Sequence, residues 1–254
     1  MICAAIEGVK QCAVPGKTIK SFDLRDIAIR RAMVIPASDP GLEVFTKLRP
    51  QRRGTRGSSN WYDFSFESLE VSHGPKRRYN EHCSGQISII YDDDNPASVS
   101  EYTATYAADK AVFEHAEGVC TRAVSAEEHY AATARIGLIY GPCFQGLRAV
   151  KTGDGYATFE IEVSDTKKTM PAHFEFPFVI YPTFLDSAMQ SAYQALTHGR
   201  HEGEGETIVP TEFKFMRVSN NLPKASSEAF SGFVKSAWIS QKSCAATIKV
   251  ARKD

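Results

Sequence analysis

Asp186 and Gln190 are the residues whose types and spacing are best suited to chemistry. On a helix they lie one turn apart, so Gln190 can hydrogen-bond the carboxyl group of Asp186. Asp186 is also the one charged residue between Phe176 and Thr197. Burial raises the pKa of a carboxyl group, and a neutral carboxyl group held by an amide is a good proton donor near neutral pH. The pair therefore predicts a general acid; the alternative is a buried aspartate that bonds backbone amides and has no chemical role.

A helix is expected to carry this pair. Pro182 suits a first helical turn, where its missing N–H has no partner to lose. The apolar residues that follow recur at the spacing of a buried helical stripe: Leu185, Ala188, Met189, Ala192 and Leu196. The other faces carry Ser, Ala, Gln and Tyr rather than Lys or Glu, so Pro182–Leu196 is predicted to be a core helix.

The composition is that of an ordinary globular protein. The 254 residues include 30 basic and 30 acidic side chains, so no nucleic-acid or anionic-membrane partner is expected. No apolar run is long enough to span a bilayer. The six cysteines are scattered without a CxxC pair, which favours reduced thiols in the cytoplasm over disulfides or a zinc site.

Two sets of helix and strands are expected to position the pair. Met1–Cys12 has apolar residues at helical spacing, and Ser125 with Glu128 predicts a capping box that starts a short helix. Residues 96–124 are interpreted as a linker. The predicted strands are Phe22–Ala28, Leu42–Leu48, Trp61–Val71 and Tyr79–Tyr91, followed by Ala157–Val163, Thr207–Val218, Glu228–Ser240 and Cys244–Arg252. This order predicts an α+β fold with an antiparallel sheet around each of two helices.

Three stretches resemble one known family: Gly137–Leu147 (GLIYGPCFQGL), Tyr181–Gln190 (YPTFLDSAMQ) and Val209–Phe215 (VPTEFKF). Leu42–Pro50, Ser59–Phe66 and Tyr79–Ile90 are similar to the first half of the same family. Together they are similar, over essentially the whole chain, to the dehydratase domain of fungal highly reducing iterative polyketide synthases. The pairing of YGPxFQG with LDxxxQ, in this order, is the most specific part of the resemblance.

The resemblance implies a double hotdog, in which two helices are each wrapped by a curled antiparallel sheet. Residues 1–95 would be the remainder of an N-terminal hotdog, residues 96–124 a linker, and residues 125–254 the C-terminal hotdog with the catalytic aspartate. The family's catalytic histidine lies in an HxxxGxxxxP motif just before the first helix, whereas this sequence matches the pattern only at His201–Pro210, far after that helix. The first hotdog is therefore expected to be N-terminally truncated, and the chain as given is expected to have little activity.

The resemblance also implies a reaction, the removal of water from a β-hydroxyacyl thioester to give an α,β-enoyl thioester. Asp186 would protonate the leaving hydroxyl group, with Gln190 as its partner. The substrate-binding residues implied by the two motifs are Tyr140, Gly141, Pro142, Phe144, Tyr181, Pro182 and Leu185. Tyr181 replaces a histidine that family members commonly have at this place, which is expected to tune the pocket.

The expected partners follow from the same resemblance. The substrate would be carried on the phosphopantetheine of an acyl carrier protein, and no other cofactor and no metal is implied. Other synthase domains would surround the chain, the full synthase would be a homodimer, and no nucleic acid or membrane would be involved.

The histidines and Cys143 are weaker candidates for chemistry. The seven histidines are interpreted as bonded or exposed side chains, with His82 as the first alternative base. His198 and His201 form an HxxH pair, but a metal site needs a third ligand. Cys143 is interpreted as a small core residue rather than a nucleophile.

Two other functions fit these residues. One is a product-template cyclase of non-reducing synthases, which has a related double hotdog and directs ring closure. The other is a non-catalytic scaffold that holds an acyl chain or a carrier protein. The EHCSG and YGPCFQG stretches argue against the cyclase.

Overall fold

The computed structural model describes residues 1–36, 41–53, 57–70, 78–92, 96–198, 207–222 and 228–252. The chain divides into two compact units. Unit 1 consists of Met1–Asp93, Phe178–Ile180 and Val209–Leu222, and unit 2 of Asp94–Pro177, Tyr181–Ile208 and Pro223–Asp254.

The helices and strands follow in this order: α1 (Ile2–Lys10), β1 (Ile19–Ile29), β2 (Val44–Arg53), β3 (Gly57–Glu70), β4 (Arg78–Tyr91), α2 (Pro96–Val119), β5 (Arg122–Ser125), α3 (Ala126–Arg135), β6 (Leu147–Gly153), β7 (Tyr156–Glu162), α4 (Pro182–Thr197), β8 (Glu212–Ser219), β9 (Ala229–Ser240) and β10 (Ser243–Arg252). Short 3₁₀ turns also lie at Pro142–Phe144 and Pro171–His173.

Unit 1 is a five-stranded antiparallel sheet, in the order β2-β3-β4-β1-β8, that packs against α1. The helix presents one apolar face, since its buried residues recur at helical spacing: Ile2, Cys3, Ala5, Ile6 and Val9. The sheet contributes buried side chains from β1, β3 and β4, including Phe22, Leu24, Ile27, Phe64 and Ile87. The predicted first helix and the strands around it are therefore confirmed.

Strand β8 belongs to unit 1, although it follows α4 in the chain. It pairs with β1 from Ser21–Ser219 to Ala28–Glu212. Arg217 adds a bidentate ion pair with the buried Asp23, with Nε 2.7 Å from Oδ1 and Nη2 2.6 Å from Oδ2. The expectation that this strand wraps the second helix is therefore wrong, because its backbone hydrogen bonds go to β1.

Unit 2 is a second five-stranded antiparallel sheet, in the order β10-β9-β7-β6-β5. Helix α4 packs against β6, β7, β9 and β10, and the rings of Phe184 and Phe230 lie 4.6 Å apart between helix and sheet. The hydroxyl groups of Ser187 and Ser191 donate to carbonyls of their own helix, at Thr183 and Ala188. These bonds satisfy the hydroxyl groups, so the serines can be buried without another partner.

The buried face of α4 coincides with the predicted apolar stripe only at Ala188 and Leu196. Leu185, Met189 and Ala192 are only half-buried, whereas the helix buries a set rich in small and polar residues: Thr183, Phe184, Ser187, Ala188, Gln190, Ser191, Gln194, Ala195 and Leu196. Hydropathy misplaces this face because it counts serine as polar, whereas a serine bonded to its own helix backbone packs like a small residue.

The segment expected to be a linker is instead mostly helix α2, which packs against β6, β7 and β9. Among the side chains of α2 that the structure describes, the inward-facing ones lie in the C-terminal half, where Ala116 is buried and Phe113 lies 6.3 Å from the ring of Phe233. This run of inward-facing apolar residues is too short to give a clear helical periodicity in the sequence. Helix α3, in contrast, starts at the predicted capping box: Ser125 Oγ accepts from Glu128 N at 3.1 Å, and Glu128 Oε2 accepts from Ser125 N at 2.8 Å.

Each unit thus has the hotdog plan of one helix against an antiparallel sheet, and the α+β class is confirmed. No helix among the described residues is long and apolar enough to cross a membrane.

Candidate active site

Asp186 lies in the second turn of α4, which begins at Pro182 after an extended Tyr181. Asp186 is half-buried, less than the buried position that a core helix predicts for it. Burial nevertheless raises the pKa of the Asp186 carboxyl group above its ordinary value, while the hydrogen bond from Gln190 lowers it. The group is therefore easier to protonate than a free aspartate.

The Gln190 side chain connects Asp186 to two other segments. Its Nε2 donates to Asp186 Oδ2 at 2.8 Å and to the carbonyl of Phe144 at 2.9 Å. Its Oε1 accepts from the hydroxyl group of Tyr130 at 3.1 Å. Because Gln190 is only 6% exposed, these bonds take the place of water around the amide.

The YGPCFQG segment lies directly against α4. Gln145 Nε2 donates to the carbonyl of Tyr140 at 2.8 Å, which closes the segment on itself around the 3₁₀ turn. A Cβ at Gly146 would lie 2.7 Å from Ser187 Oγ and 3.0 Å from the carbonyl oxygen of Glu162. Only glycine therefore permits this approach, one residue along the helix from Asp186.

Two tyrosines border the acid. The rings of Tyr130 and Tyr140 meet edge to face at 6.0 Å. Burial is the main cause that raises the pKa of each phenol to about 12, and the charge of Asp186 adds to it. Both phenols are neutral at neutral pH, so they can donate hydrogen bonds but cannot act as bases.

The residues expected to bind substrate fall into two groups: Tyr140, Gly141, Pro142 and Phe144 in the YGPCFQG segment, and Tyr181, Pro182 and Leu185 at the start of α4. In the first group, the Phe144 carbonyl accepts a hydrogen bond from Gln190, and burial followed by the charge of Asp186 raises the pKa of Tyr140. In the second group, Leu185 N bonds the Tyr181 carbonyl at 3.0 Å within the first helical turn. Burial, and then the charge of Glu175, raises the pKa of Tyr181. The substrate contacts of both groups stay a prediction.

Sequence reasoning missed Tyr130, which lies on α3. Its hydroxyl group accepts from the backbone N–H of Leu147 at 3.0 Å and reaches Gln190, 60 positions further along the chain. The capping box at Ser125 predicts α3 but not which of its residues faces α4. Gly146 is also absent from the predicted site, although it stands in the motif.

The described histidines are bonded or exposed. His82 is buried, with Nε2 2.7 Å from Ser68 Oγ and Nδ1 3.2 Å from the Arg31 carbonyl. His129 is buried, with Nδ1 2.7 Å from Gln194 Nε2. His115, His173 and His198 are exposed, and His73 and His201 lie outside the described residues.

A grouped set of metal ligands is absent from the described part of the chain. There, no three His, Cys, Asp or Glu side chains are grouped to hold a metal ion. Cys143 is half-exposed, 3.4 Å from Thr169 Oγ1, so the prediction of a core residue is wrong.

Comparison with known proteins places the chain in a family. The model of the polyketide synthase dehydratase N-terminal domain matches residues 108–254. A highly reducing polyketide synthase of Preussia isomera is 30% identical over 254 residues, which are 99% of this chain and 10% of that protein. A squalestatin tetraketide synthase of Cochliobolus lunatus is 31% identical over 87% of this chain and 8% of that protein. The chain thus spans about a tenth of the length of these relatives.

Solved structures share the fold. The dehydratase domain from the CurK module of curacin polyketide synthase has a TM-score of 0.65 at 19% identity, covering 99% of this chain and 79% of that chain. The corresponding domain from the CurJ module has a TM-score of 0.69 at 16% identity, covering 98% of this chain and 74% of that chain. With the family match over more than half of its length, this chain belongs to the polyketide synthase dehydratase family.

Proposed function

We propose that the chain removes water from a β-hydroxyacyl thioester and that Asp186 is the general acid of this reaction. The observation that supports it best is the Asp186–Gln190 pair, in which burial raises the pKa of the acid directly beside the YGPCFQG segment. A carboxyl group with a raised pKa keeps its proton to a higher pH than a free aspartate does, and it can transfer that proton to the β-hydroxyl group as the C–O bond breaks. Gln190 holds Oδ2, which leaves Oδ1 for the substrate.

The charge around the acid suits this step. Tyr130 and Tyr140 are neutral donors, so neither competes with the substrate for the proton of Asp186. Tyr140 is proposed to donate to a substrate oxygen, and Phe144, Pro142 and Leu185 to border the acyl chain. Gly141 would leave the segment open on its solvent side, since a Cβ there would contact nothing within 4 Å. Tyr181 and Pro182 would set where α4 begins.

The reaction also needs a base for the α-proton, and the resemblance implies a histidine. CurK dehydratase has been crystallised as one inactive mutant in which histidine is replaced by phenylalanine and another in which aspartate is replaced by asparagine. Asp186 is the proposed counterpart of that aspartate. In the 254 residues the HxxxGxxxxP pattern occurs only at His201–Pro210, after α4 and not at the family's place before the first helix, so slow turnover is expected of the chain alone.

We further propose that the substrate arrives on the phosphopantetheine of an acyl carrier protein and that no other cofactor takes part. The relatives are polyketide synthases about ten times longer than this chain, which supports other synthase domains as its neighbours. A homodimer in the full synthase follows from the same resemblance. The six cysteines are free thiols, which suits the cytoplasm.

Mass spectrometry of a β-hydroxyacyl pantetheine thioester incubated with the chain tests the proposal. Imidazole added as an external base should raise the rate of water loss, because it can take the α-proton in place of a histidine. Asp186→Asn should remove both the basal and the imidazole-dependent rate, by about 100- to 10,000-fold. Water loss that is equally fast in Asp186→Asn would overturn the role of the acid.

The two other functions give different products in the same assay. A product-template cyclase would give a cyclised product when offered a poly-β-keto thioester. A scaffold would bind the β-hydroxyacyl thioester and return it unchanged at every imidazole concentration. Either result would reject the dehydratase proposal.

A further inference from the structure

We infer that Tyr130 is a positioning residue for the acid and that its hydroxyl group holds the Gln190 amide against Asp186. The inference rests on the proposed function for the role of Asp186. Tyr130 lies on α3, outside every motif that the sequence offers.

The directions of the hydrogen bonds follow from the groups themselves. The Leu147 N–H can only donate, so Tyr130 Oη accepts from it at 3.0 Å. The hydroxyl proton is then available for Gln190 Oε1 at 3.1 Å. At the other end of the amide, the Phe144 carbonyl can only accept, which identifies the nearby atom as Nε2. The result is one chain of donors that runs from Leu147 through Tyr130 and Gln190 to Asp186.

Such a chain affects the acid in two ways. Each donor is polarised by the bond that it accepts, so the Tyr130 hydroxyl group makes Gln190 a stronger donor to Asp186. It also occupies Oε1 of a side chain that is only 6% exposed. Without the hydroxyl group this oxygen would be left unsatisfied, and rotation of Gln190 toward water would release Asp186. The bond from Gln190 is the contact that lowers the pKa of Asp186 against the effect of burial.

The groups that act on Tyr130, Tyr140 and Asp186 are neutral or paired. Tyr140 faces Asp186 as a neutral phenol, and His129 on α3 bonds Gln194. Arg148 of β6 faces Tyr130, but its Nε lies 2.6 Å from Glu162 Oε2 of β7. On the other two strands that pack against α4, Lys235 lies over the ring of Tyr156 and Lys249 pairs with Asp109.

Tyr130→Phe tests the inference, because it removes the hydroxyl group and keeps the ring. Carbon-detected NMR should show the Asp186 carboxyl group titrating at higher pH in the folded variant. In the imidazole assay the rate should fall about fivefold, which is the factor for the loss of one neutral hydrogen bond. The pH at which half of the activity is lost should move upward together with the NMR midpoint. A purely structural role would lower the rate at every pH and leave that midpoint in place.

Tyr193→Phe is the matched control. Tyr193 is a half-buried tyrosine on α4 that does not belong to the chain of donors, and burial is what raises its pKa. Removal of the Tyr193 hydroxyl group should leave the titration midpoint of Asp186 unchanged.

Two further variants decide how Tyr130 acts. In a Gln190→Met background, Tyr130→Phe should move the Asp186 midpoint no further, since the effect passes through Gln190.

Should Tyr130→Phe fail to fold, 3-fluorotyrosine at position 130 keeps the side chain and is a stronger donor, so the midpoint should move down. An unchanged midpoint in folded Tyr130→Phe or in the fluorotyrosine protein, or an undiminished shift in the Gln190→Met background, would overturn the inference. The titration needs no turnover, so it decides this point even if the chain does not dehydrate its substrate.

Discussion

The amide nitrogen of Gln190 lies 2.8 Å from Asp186 Oδ2, one helical turn away. This bond opposes burial, which is the larger of the two effects and leaves the pKa of Asp186 raised. A raised pKa means that the folded chain holds a proton more tightly than the unfolded chain does. The carboxyl group that is proposed to do chemistry therefore weakens the fold whenever it is charged.

Asp186→Asn should stabilise the protein at neutral pH. The folded pKa lies above the unfolded one, so Asp186 costs stability increasingly as the pH rises from its unfolded pKa through its folded pKa. Each pKa unit of elevation corresponds to about 1.4 kcal/mol. Asparagine can still accept from Gln190 and carries no charge. Urea unfolding of both proteins at several pH values should show a gain near pH 8 that shrinks as the pH approaches about 4.

Asp165→Asn is the control for this effect. Asp165 lies on an exposed loop, where its Oδ2 is 3.1 Å from Lys168 Nζ. Exposed pairs contribute little, so this change should stay within about 0.5 kcal/mol at each pH. An Asp186→Asn protein that is less stable than wild type at pH 8 would contradict the prediction.

Gly146→Ala should displace the YGPCFQG segment from α4. The added methyl group would lie 2.7 Å from Ser187 Oγ and 3.0 Å from a backbone oxygen, and the backbone oxygen cannot move aside cheaply. We expect a loss of about 1–3 kcal/mol in the free energy of unfolding, the usual cost of overpacking, together with a lower rate of water loss. Denaturant unfolding measures the first effect and the imidazole assay the second.

Gly141→Ala provides the comparison, since it changes the same residue type in the same segment. A Cβ there meets nothing within 4 Å, and the backbone φ of −69° suits alanine. Stability should change by less than about 0.5 kcal/mol. Equal losses in the free energy of unfolding in the two variants would contradict the prediction that Gly146 is needed for the close contact with α4.

The elements that the sequence predicts are those whose signal is local. The capping box at Ser125 and Glu128, the proline at the start of α4 and the i, i+4 spacing of Asp186 and Gln190 all depend on neighbours within one turn. Their structures follow the sequence closely. The α+β class follows in the same way, since the order of helical and alternating patterns determines it.

The parts that the sequence does not predict depend on contacts between distant segments. Strand β8 alternates like its neighbours in the chain, and nothing in its own pattern says that its partner is β1 rather than β9. Tyr130 is one of two tyrosines close to Asp186, and only the packing of α3 against α4 distinguishes it from the tyrosines elsewhere in the chain. Asp186 is half-exposed for a similar reason. The face of α4 that packs against the sheet contains serines that bond their own helix backbone, and Asp186 lies beside this face.

Arg217→Met should loosen β8 from the first sheet. Asp23 is buried with a side chain 7% exposed, and Arg217 neutralises it through two hydrogen bonds. Removing the cation leaves a buried charge, which costs about 3–5 kcal/mol for a fully buried pair. Arg217 itself is 57% exposed, so water replaces part of the interaction and we expect about 1–2 kcal/mol. Hydrogen exchange should become faster in β8 and in the facing part of β1.

Lys249→Met is the matched change in unit 2. Lys249 Nζ lies 3.0 Å from Asp109 Oδ2, but both partners are at least one-third exposed. The expected loss is below about 1 kcal/mol. Comparable losses in the two variants would show that burial of Asp23 adds nothing to its ion pair with Arg217.

Ser125→Ala should affect the acid from a distance, because Ser125 caps the helix that carries Tyr130. Its hydroxyl group satisfies the Glu128 N–H, and removing such a cap costs about 1 kcal/mol. The first turn of α3 should fray, which hydrogen exchange at Glu127 and Glu128 can detect. Tyr130 follows this turn directly, so its bond to Gln190 should weaken and the Asp186 midpoint should move in the same direction as in Tyr130→Phe, by a smaller amount. Ser125→Asp keeps an acceptor at the cap and should retain both the protection and the midpoint. A frayed α3 with an unmoved Asp186 would show that Tyr130 is held by its bond to Leu147 and not by the start of its helix.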